Sequence, residues 1–429
     1  AGELRARGIH EGAAVGLLAR NGRGFVESSV ALSKCGADVL YLNTGFAAEQ
    51  LRRVLDRERA MAIIHDEDLA ELVEQAAPGR LVLTTEELGS LAQSSTAKAP
   101  HPSSTPSRLV ILTSGTTGLP RGSARSSASA DDAVSMLSRI PLKADEVTVV
   151  ASPVFHAWGL AHLVMAMVMG STVVLRRRFD AEQVWRDVQE HRAAALVVVP
   201  VMLDLLLRAE PEGYDLSSLR VVASSGSALP GELATRVLER LGPVLYNLYG
   251  STEAAYAAIA TPEDLAEDPH TAGAPPHGIT LRIVDDAGQE VAQGTPGRIF
   301  VGGPMSFIGY TDGGDKDRLD GLVATGDVGV IDAKGRLTVL GRDDDMVVFG
   351  GETVYPRQVK DALLQHPGVR ECAITKADDN AYGTRLVAHV VGEASEEELK
   401  ALVRERVARF AVPREWRFLD ALPRNATGK

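Results

Sequence analysis

Leu109-Val110-Ile111-Leu112 runs directly into Thr113-Ser114-Gly115-Thr116-Thr117-Gly118-Leu119-Pro120-Arg121-Gly122. The four apolar residues read as a short buried strand, and the glycine- and hydroxyl-rich segment as a loop supported at the strand's end. Glycines let backbone N–H groups approach phosphate oxygens, the hydroxyls add rotatable donors, and Arg121 adds a bidentate charged fork. No Gly-Lys-Ser/Thr follows, so the loop is not of the Walker type. A flexible Ser/Gly/Thr linker is the bland alternative, but linkers rarely follow a buried strand so abruptly.

The flanking sequence has the rhythm of layered α/β structure. Ala14 to Leu18, Asp38 to Leu42 and Ala62 to Ile64 read as strands. Phe25 to Lys34, Ala48 to Asp56 and Asp66 to Glu74 read as the helices alternating with them. Such alternation predicts a largely parallel sheet. Residues 93–107 form a polar Pro/Ser linker. A second α/β run over residues 131–260 carries strands at Val147 to Ala151, Thr172 to Leu175, Ala195 to Val199 and Val221 to Ala223. Beyond Gly273, short β segments separated by Gly/Asp turns predict a β-rich subdomain, and from Asp343 the pattern becomes a compact α+β module.

Bulk composition narrows the function classes. The chain has 429 residues, 45% hydrophobic and 24% charged, an ordinary globular balance long enough for two or three domains. A net charge of −12 argues against nucleic acid as a partner, so any polyanion site must be a local basic pocket. Two cysteines far apart, Cys35 and Cys372, predict a reducing cytoplasm. The apolar run Gly159 to Leu175 is short and interrupted, and reads as buried structure rather than an integral membrane segment.

Several other segments carry chemistry. Tyr246-Asn247-Leu248-Tyr249-Gly250-Ser251-Thr252-Glu253 sets an aromatic, hydroxyls and a carboxylate close together. It suits a stacked base, a phosphate and Mg²⁺, which takes one or two protein carboxylates, or else a Tyr corner with a helix cap. Thr325-Gly326-Asp327 is a common turn, yet its carboxylate would suit a pair of sugar hydroxyls. Gly341-Arg342-Asp343-Asp344-Asp345 lies where the pattern changes, with Asp343 and Asp345 reading as an acidic surface turn. His156, in Pro153-Val154-Phe155-His156-Ala157-Trp158-Gly159, sits between a strand and an apolar helix, where a structural histidine is the alternative. Ser224-Ser225-Gly226-Ser227-Ala228, Phe349-Gly350-Gly351-Glu352 and the terminal Pro423 to Lys429 complete the set.

In this order the segments resemble the signatures of acyl-adenylate-forming enzymes: acyl-CoA synthetases, peptide-synthetase adenylation domains and luciferases. The resemblance spans essentially the whole chain and is strongest to fatty-acyl and related carboxylate–CoA ligases. It implies an α/β fold with a large N-terminal domain of mixed α/β layers plus a β-rich subdomain over residues 1–342. A small mobile α+β domain would follow over 343–429, and the family's first stretch would lie ahead of residue 1.

Residue by residue, the resemblance gives Thr113, Ser114, Gly115, Thr116, Thr117, Gly118 and Arg121 to the β- and γ-phosphates of ATP. Family members usually carry Lys where this chain has Arg121. Tyr249 and Gly250 would lie against adenine, Thr252 would meet the α-phosphate and Glu253 would hold Mg²⁺. Asp327 and Arg342 would contact the ribose side, Asp344 would act as hinge, and His156 would sit beside the acyl carboxylate. Ser225 and Gly226 would run along the adenine and the acyl tunnel, walled by Trp158 to Met169 and Val199 to Leu207. Gly350 and Gly351 would line the pantetheine path, and Lys429 would be the catalytic lysine, offsetting anion repulsion between carboxylate and triphosphate. The implied reaction joins a carboxylic acid to coenzyme A through an acyl-adenylate, with a fatty acid expected, an aryl acid the alternative, and a homodimer left open. The rivals are loading of a carrier protein and a non-catalytic nucleotide-binding role.

Overall fold

The computed structural model describes residues 1–94, 107–112, 122–125, 130–251, 253, 255–303, 307–311, 313, 315–344, 347–349, 352–379 and 383–423. Six strands open the first sheet: Ala14–Leu18 (β1), Asp38–Tyr41 (β2), Ala62–His65 (β3), Leu81–Thr84 (β4), Leu109–Leu112 (β5) and Gly122–Arg125 (β6). They pair in the order β6-β5-β2-β1-β3-β4, parallel except between β5 and β6. The second sheet holds Val147–Val150 (β7), Thr172–Leu175 (β8), Ala195–Val198 (β9), Val221–Ser224 (β10), Leu245–Ser251 (β11) and Ala255–Ala260 (β12). Its order is β12-β11-β10-β9-β7-β8, with only β11–β12 antiparallel.

Central strands such as Ala195–Val198 and Val221–Ser224 are buried along their whole length, as parallel strands covered on both faces require. Between the sheets, Val15, Leu17 and Val39 share one core with Val197, Ala223 and Ile259. Phe25 of the helix Arg23–Cys35 and Leu163 of the helix Ala157–Val168 fill the gap. The outer faces are closed by the helix Ala48–Arg57 on the first sheet and by Ala181–Glu190, Pro200–Arg208 and Gly231–Leu241 on the second. Fully burying a Val, Leu, Ile or Phe side chain is worth about 1.5–3 kcal/mol. Burial of that size across three apolar layers, more than helix propensity, fixes this part of the fold.

A third, antiparallel sheet follows: Thr280–Val284 (β13), Gly297–Gly302 (β14), Arg318–Leu319 (β16), Leu322–Ile331 (β17) and Leu337–Arg342 (β18). It packs on the second sheet through Ala257, Ala258, Ile283, Ile299 and Leu337, with Tyr249 at the margin. One strand from this stretch, Phe307–Tyr310 (β15), instead pairs with β6 and completes the first sheet. The carboxy-terminal part holds a hairpin, Val347–Phe349 (β19) with Glu352–Val354 (β20), and a sheet of Val369–Asp379 (β21), Gly383–Gly392 (β22) and Glu415–Phe418 (β23). The helices Pro356–Leu363 and Glu396–Arg406 cover it, and Val359, Leu363, Leu386, Val390, Leu399 and Val403 form its own core. The fold class is therefore the mixed α/β architecture expected, a large N-terminal domain followed by a small α+β one.

Three local expectations are corrected. The helix expected over 66–74 is a 3₁₀ turn, Glu67–Leu69, leading into Ala70–Ala76. Asp66 does not cap it, because its carboxylate accepts from Arg20 N at 2.9 Å and from Thr85 Oγ1 at 3.0 Å. Thr325-Gly326-Asp327 lies inside the ten-residue strand β17 rather than in a turn between strands. The apolar run 159–175 is not buried throughout: Met167 and Val168 are exposed where the chain turns into the edge strand β8. Among the described residues no helix is long and apolar enough to cross a membrane.

The two α/β sheets are latched at their carboxyl edges by Asn21, which follows β1. Its Nδ2 donates to the carbonyls of Val150 at 3.2 Å and Ser152 at 2.9 Å, and its Oδ1 accepts from Val154 N at 2.9 Å. The side chain is buried, so removing it strands three backbone groups, each costing about 1–3 kcal/mol when left unpaired. Asn21→Ala should lower the urea-unfolding midpoint by the equivalent of about 2–4 kcal/mol. An unchanged midpoint would show that the latch adds nothing to stability.

Candidate active site

In the second sheet the chain leaves β7 toward β8 on one side and returns to β9 on the other. Such reversals of strand order open a crevice beyond the carboxyl ends, where doubly wound sheets bind ligands. Ser152 to His156 follow β7 at that carboxyl edge. His156 is the extended residue that starts the helix Ala157–Val168, and its ring lies 4.6 Å from that of Phe155. Gly159 permits the approach of this helix: a Cβ there would lie 2.4 Å from the Pro153 carbonyl oxygen. Trp158 is fixed across the crevice by Nε1 donating to Val198 O at 3.0 Å, at the end of β9. His162 continues the row of rings, edge-on to Trp158 with centroids 4.1 Å apart. Ser225 is buried just past β10, and Gly226 lies over Val199.

The His162 imidazole has no exit to solvent. Burial pushes its pKa down to about 4, against the support of Trp158 O, which accepts from Nδ1 at 3.2 Å. A carbonyl can only accept, so Nδ1 carries the proton and Nε2 is left as a buried acceptor with no hydrogen bond among the described residues.

A second group of side chains converges from β11, β17 and β18. Tyr249 OH donates to Asp327 Oδ2 at 2.5 Å, bringing together two residues 78 positions apart. Asp327 stands opposite Arg342 in the β17–β18 register, with Arg342 NH1 3.7 Å from Oδ1. Arg342 Nε in turn donates to Asp344 Oδ1 at 3.1 Å. Gly326, at φ +81, makes this crossing possible: a Cβ there would meet the Arg342 guanidinium at 3.2 Å. Burial and the facing carboxylate push the Tyr249 phenol well above its ordinary range. Burial also raises the Asp327 carboxyl, although Tyr249 and Arg342 favour its charged form. The Arg342 hydrogen bond lowers the Asp344 carboxyl. Lys376 Nζ of β21 donates to the Asp344 carbonyl at 2.5 Å. Asp343 is less of a free surface turn than expected, pairing with Arg298 at 3.4 Å.

Glu253 is fixed from a different direction. Tyr310 OH, at the end of β15, donates to Glu253 Oε1 at 2.8 Å. Among the described residues Oε2 takes no ion pair or side-chain hydrogen bond. One tethered and one uncommitted carboxylate oxygen is a donor set that fits Mg²⁺, which takes few protein ligands and keeps water and phosphate on its other positions. The group Asp187, Glu190 and His191 is a weaker candidate, because Arg176 already binds both Asp187 oxygens, at 2.8 and 2.5 Å.

Thr113, Ser114, Gly115, Thr116, Thr117, Gly118, Arg121, Thr252, Gly350, Gly351 and Lys429 lie outside the described residues. Their neighbours still frame the loop: Leu112 faces Gly122 across the β5–β6 hairpin, at the carboxyl edge of the first sheet. The structure joins Tyr249, Asp327, Arg342 and Asp344 in one chain of contacts. It sets His156, Ser225, Gly226 and Gly250 along the carboxyl edge of the second sheet. Sequence reasoning gave no role to Asn21 or Tyr310, and took in His162 only within the wall Trp158 to Met169. His162, four residues after Trp158 on an apolar helix, was open to discovery from spacing; the other two act across sheets and leave no local signal.

The buried neutral His162 gives a pH test. An unfolded histidine titrates near pH 6.5, so below that pH the unfolded chain binds a proton that the folded chain refuses. Stability carried by the neutral ring is present above pH 6.5 and lost as pH falls toward 4, by about 3 kcal/mol. Denaturant unfolding of wild type and His162→Gln at pH 7 and pH 4 should show the difference moving in the variant's favour by that amount. A pH-independent difference would contradict the buried neutral imidazole.

Residues 1–311 match the family model described as AMP-binding enzyme, and residues 358–429 match the AMP-binding enzyme C-terminal domain. The chain is 32% identical to a 2-succinylbenzoate–CoA ligase of Bacillus licheniformis, over 100% of this chain and 90% of that protein. It is also 32% identical to a feruloyl-CoA synthase of Amycolatopsis sp, over 99% of this chain and 89% of the relative. Among solved structures, O-succinylbenzoate coenzyme A synthetase from Bacillus subtilis in complex with ATP and magnesium superposes with a TM-score of 0.86 at 27% identity. That match covers 100% of this chain and 90% of the other.

Proposed function

Because the chain belongs to the AMP-binding enzyme family and is an AMP-forming acid–thiol ligase, we propose that it converts a ring-bearing carboxylic acid to its coenzyme A thioester. ATP and coenzyme A are the co-substrates and Mg²⁺ the metal, as in the coenzyme A ligases it resembles. The observation that carries this reading is the meeting of Tyr249, Asp327, Arg342 and Asp344, from three strands and the segment leading into the small domain. A carboxylate between a tyrosine and a guanidinium suits the paired hydroxyls of a ribose, with the Tyr249 ring beside the base.

In this proposal the acid carboxylate attacks the α-phosphorus of ATP, forming the acyl–AMP anhydride and releasing pyrophosphate. The 113–122 loop with Arg121 holds the departing phosphates, and Lys429 offsets repulsion between the two anions. Mg²⁺ on Glu253 would neutralise phosphate charge. The thiolate of coenzyme A then attacks the acyl carbon and AMP leaves. We place the domain boundary after Arg342 and the hinge at Asp344. The Arg342–Asp344 pair and the Lys376 contact with the Asp344 carbonyl would have to rearrange if that residue turns.

The acid class departs from the fatty acid expected from sequence. The relatives are named for 2-succinylbenzoate and ferulate, both ring-bearing acids. Two ring pairs gather where the chain leaves β7 and enters the helix Ala157–Val168, Phe155 with His156 and Trp158 with His162. Aromatic pairs are worth about 0.5–1.5 kcal/mol beyond area burial, which favours a flat acid over a flexible alkyl chain.

The test is pyrophosphate release across matched panels of aryl and fatty acids, with free coenzyme A or a phosphopantetheinyl carrier as acceptor. Aryl acids should give at least tenfold higher kcat/KM, and free coenzyme A alone should drive AMP release. Higher turnover on fatty acids would overturn the acid class. Turnover only with the carrier would overturn the acceptor, and background release with every acid would overturn the enzymatic reading.

A further inference from the structure

We propose that Tyr310 is a positioning residue that sets the place of the Glu253 carboxylate relative to the β5–β6 hairpin of the first sheet, and through it the affinity for metal-bound triphosphate. The inference rests on the reading of Glu253 as the magnesium carboxylate. Its basis is the route by which Tyr310 arrives. Among the described residues, β15 is the one strand of the β-rich stretch that leaves its neighbours to join the first sheet, pairing antiparallel with β6. In that register Tyr310 stands opposite Ser123, and the next residue, Thr311, donates its N–H to Gly122 O at 2.9 Å. Gly122 is the residue on which the 113–121 loop ends. Thr311 Oγ1 also donates to Glu58 Oε1 at 2.8 Å, so the strand end is pinned beyond its pairing with β6.

From this anchored position Tyr310 OH reaches Glu253 Oε1 at 2.8 Å, across 57 residues of sequence. Glu253 lies between the ends of β11 and β12, where the register slips between Tyr249 and Gly250. Without a tether its side chain would sample several rotamers. The phenol donates to a charged acceptor and leaves Oε2 to face a cation. It thereby holds the second sheet's carboxylate in a fixed relation to Gly122 and the first sheet's edge. Glu253 would hold a divalent ion and supply it to the triphosphate from that fixed place, whereas binding of the adenosine part would not draw on it.

The experiment compares wild type, Tyr310→Phe, Glu253→Gln and the double variant of the full chain. Mn²⁺ binding in the presence of ATP is followed by electron paramagnetic resonance, and metal-free AMP binding by calorimetry. Tyr310→Phe should weaken Mn²⁺–ATP binding five- to twentyfold and leave AMP affinity within twofold. In the Glu253→Gln background the same change should have no further effect, since the hydroxyl acts only through that carboxylate. Equal loss of AMP affinity, unchanged Mn²⁺–ATP binding in Tyr310→Phe, or additive losses in the double variant would each overturn the proposal. If Glu253→Gln itself binds Mn²⁺–ATP as wild type does, the reading of Glu253 fails instead. Near-ultraviolet circular dichroism of Tyr310→Phe, expected to keep the wild-type shape apart from the lost tyrosine, separates a positioning loss from misfolding.

Discussion

The hydrogen bond from Tyr249 to Asp327 is the contact on which the candidate site depends. It ties the last parallel strand of the second sheet to the long strand of the β-rich subdomain, and both side chains are largely withdrawn from water. A hydrogen bond to a charged group contributes about 1.5–3 kcal/mol, and leaving a buried carboxylate unmatched costs more. The pair therefore fixes how the subdomain seats on the sheet. Arg342 extends the contact to Asp344, and Lys376 carries it to the small domain. A short polar chain thus runs from the heart of the large domain to the segment where the proposed hinge lies.

Around that chain the fold supplies three walls from three sheets. The first sheet brings the β5–β6 hairpin, and β15 strengthens its far edge. The second brings the ring-lined crevice at the reversal between β7 and β9. Asn21 holds their carboxyl edges together, so the segment before His156 is fixed to the end of β1 by three hydrogen bonds. The third sheet contributes Asp327 and Arg342 from facing positions on adjacent strands. Each wall is rigid because an apolar layer lies directly behind it. In the proposed function this rigidity preorganises donors and charges toward the nucleotide, leaving large motion to the segment around Asp344.

Much of this was legible from sequence, and the limit was physical. Periodicity located the strands and helices because buried parallel strands read as continuous apolar runs, as Ala195–Val198 does. A large mixed α/β part and a small α+β part were visible as a change of pattern along the chain. Thr325-Gly326-Asp327 was misjudged because a glycine at positive φ inside a bulged strand looks, in sequence, like a turn. Residues whose work is done across sheets stayed hidden: Asn21 acts on backbone some 130 positions away, and Tyr310 on a carboxylate 57 positions away. The acid class also lay beyond the motifs, because they report the nucleotide and the shared chemistry.

The measurement that tests the central claim most directly is calorimetric titration of AMP into wild type and Asp327→Asn. Asparagine can still accept from Tyr249, so the fold should persist, but the charge facing the ribose hydroxyls is gone. At about tenfold per 1.4 kcal/mol, loss of the charged acceptor should weaken AMP binding by about ten- to a hundredfold. An AMP affinity within twofold of wild type in a folded Asp327→Asn protein would contradict a nucleotide site built on Tyr249, Asp327 and Arg342.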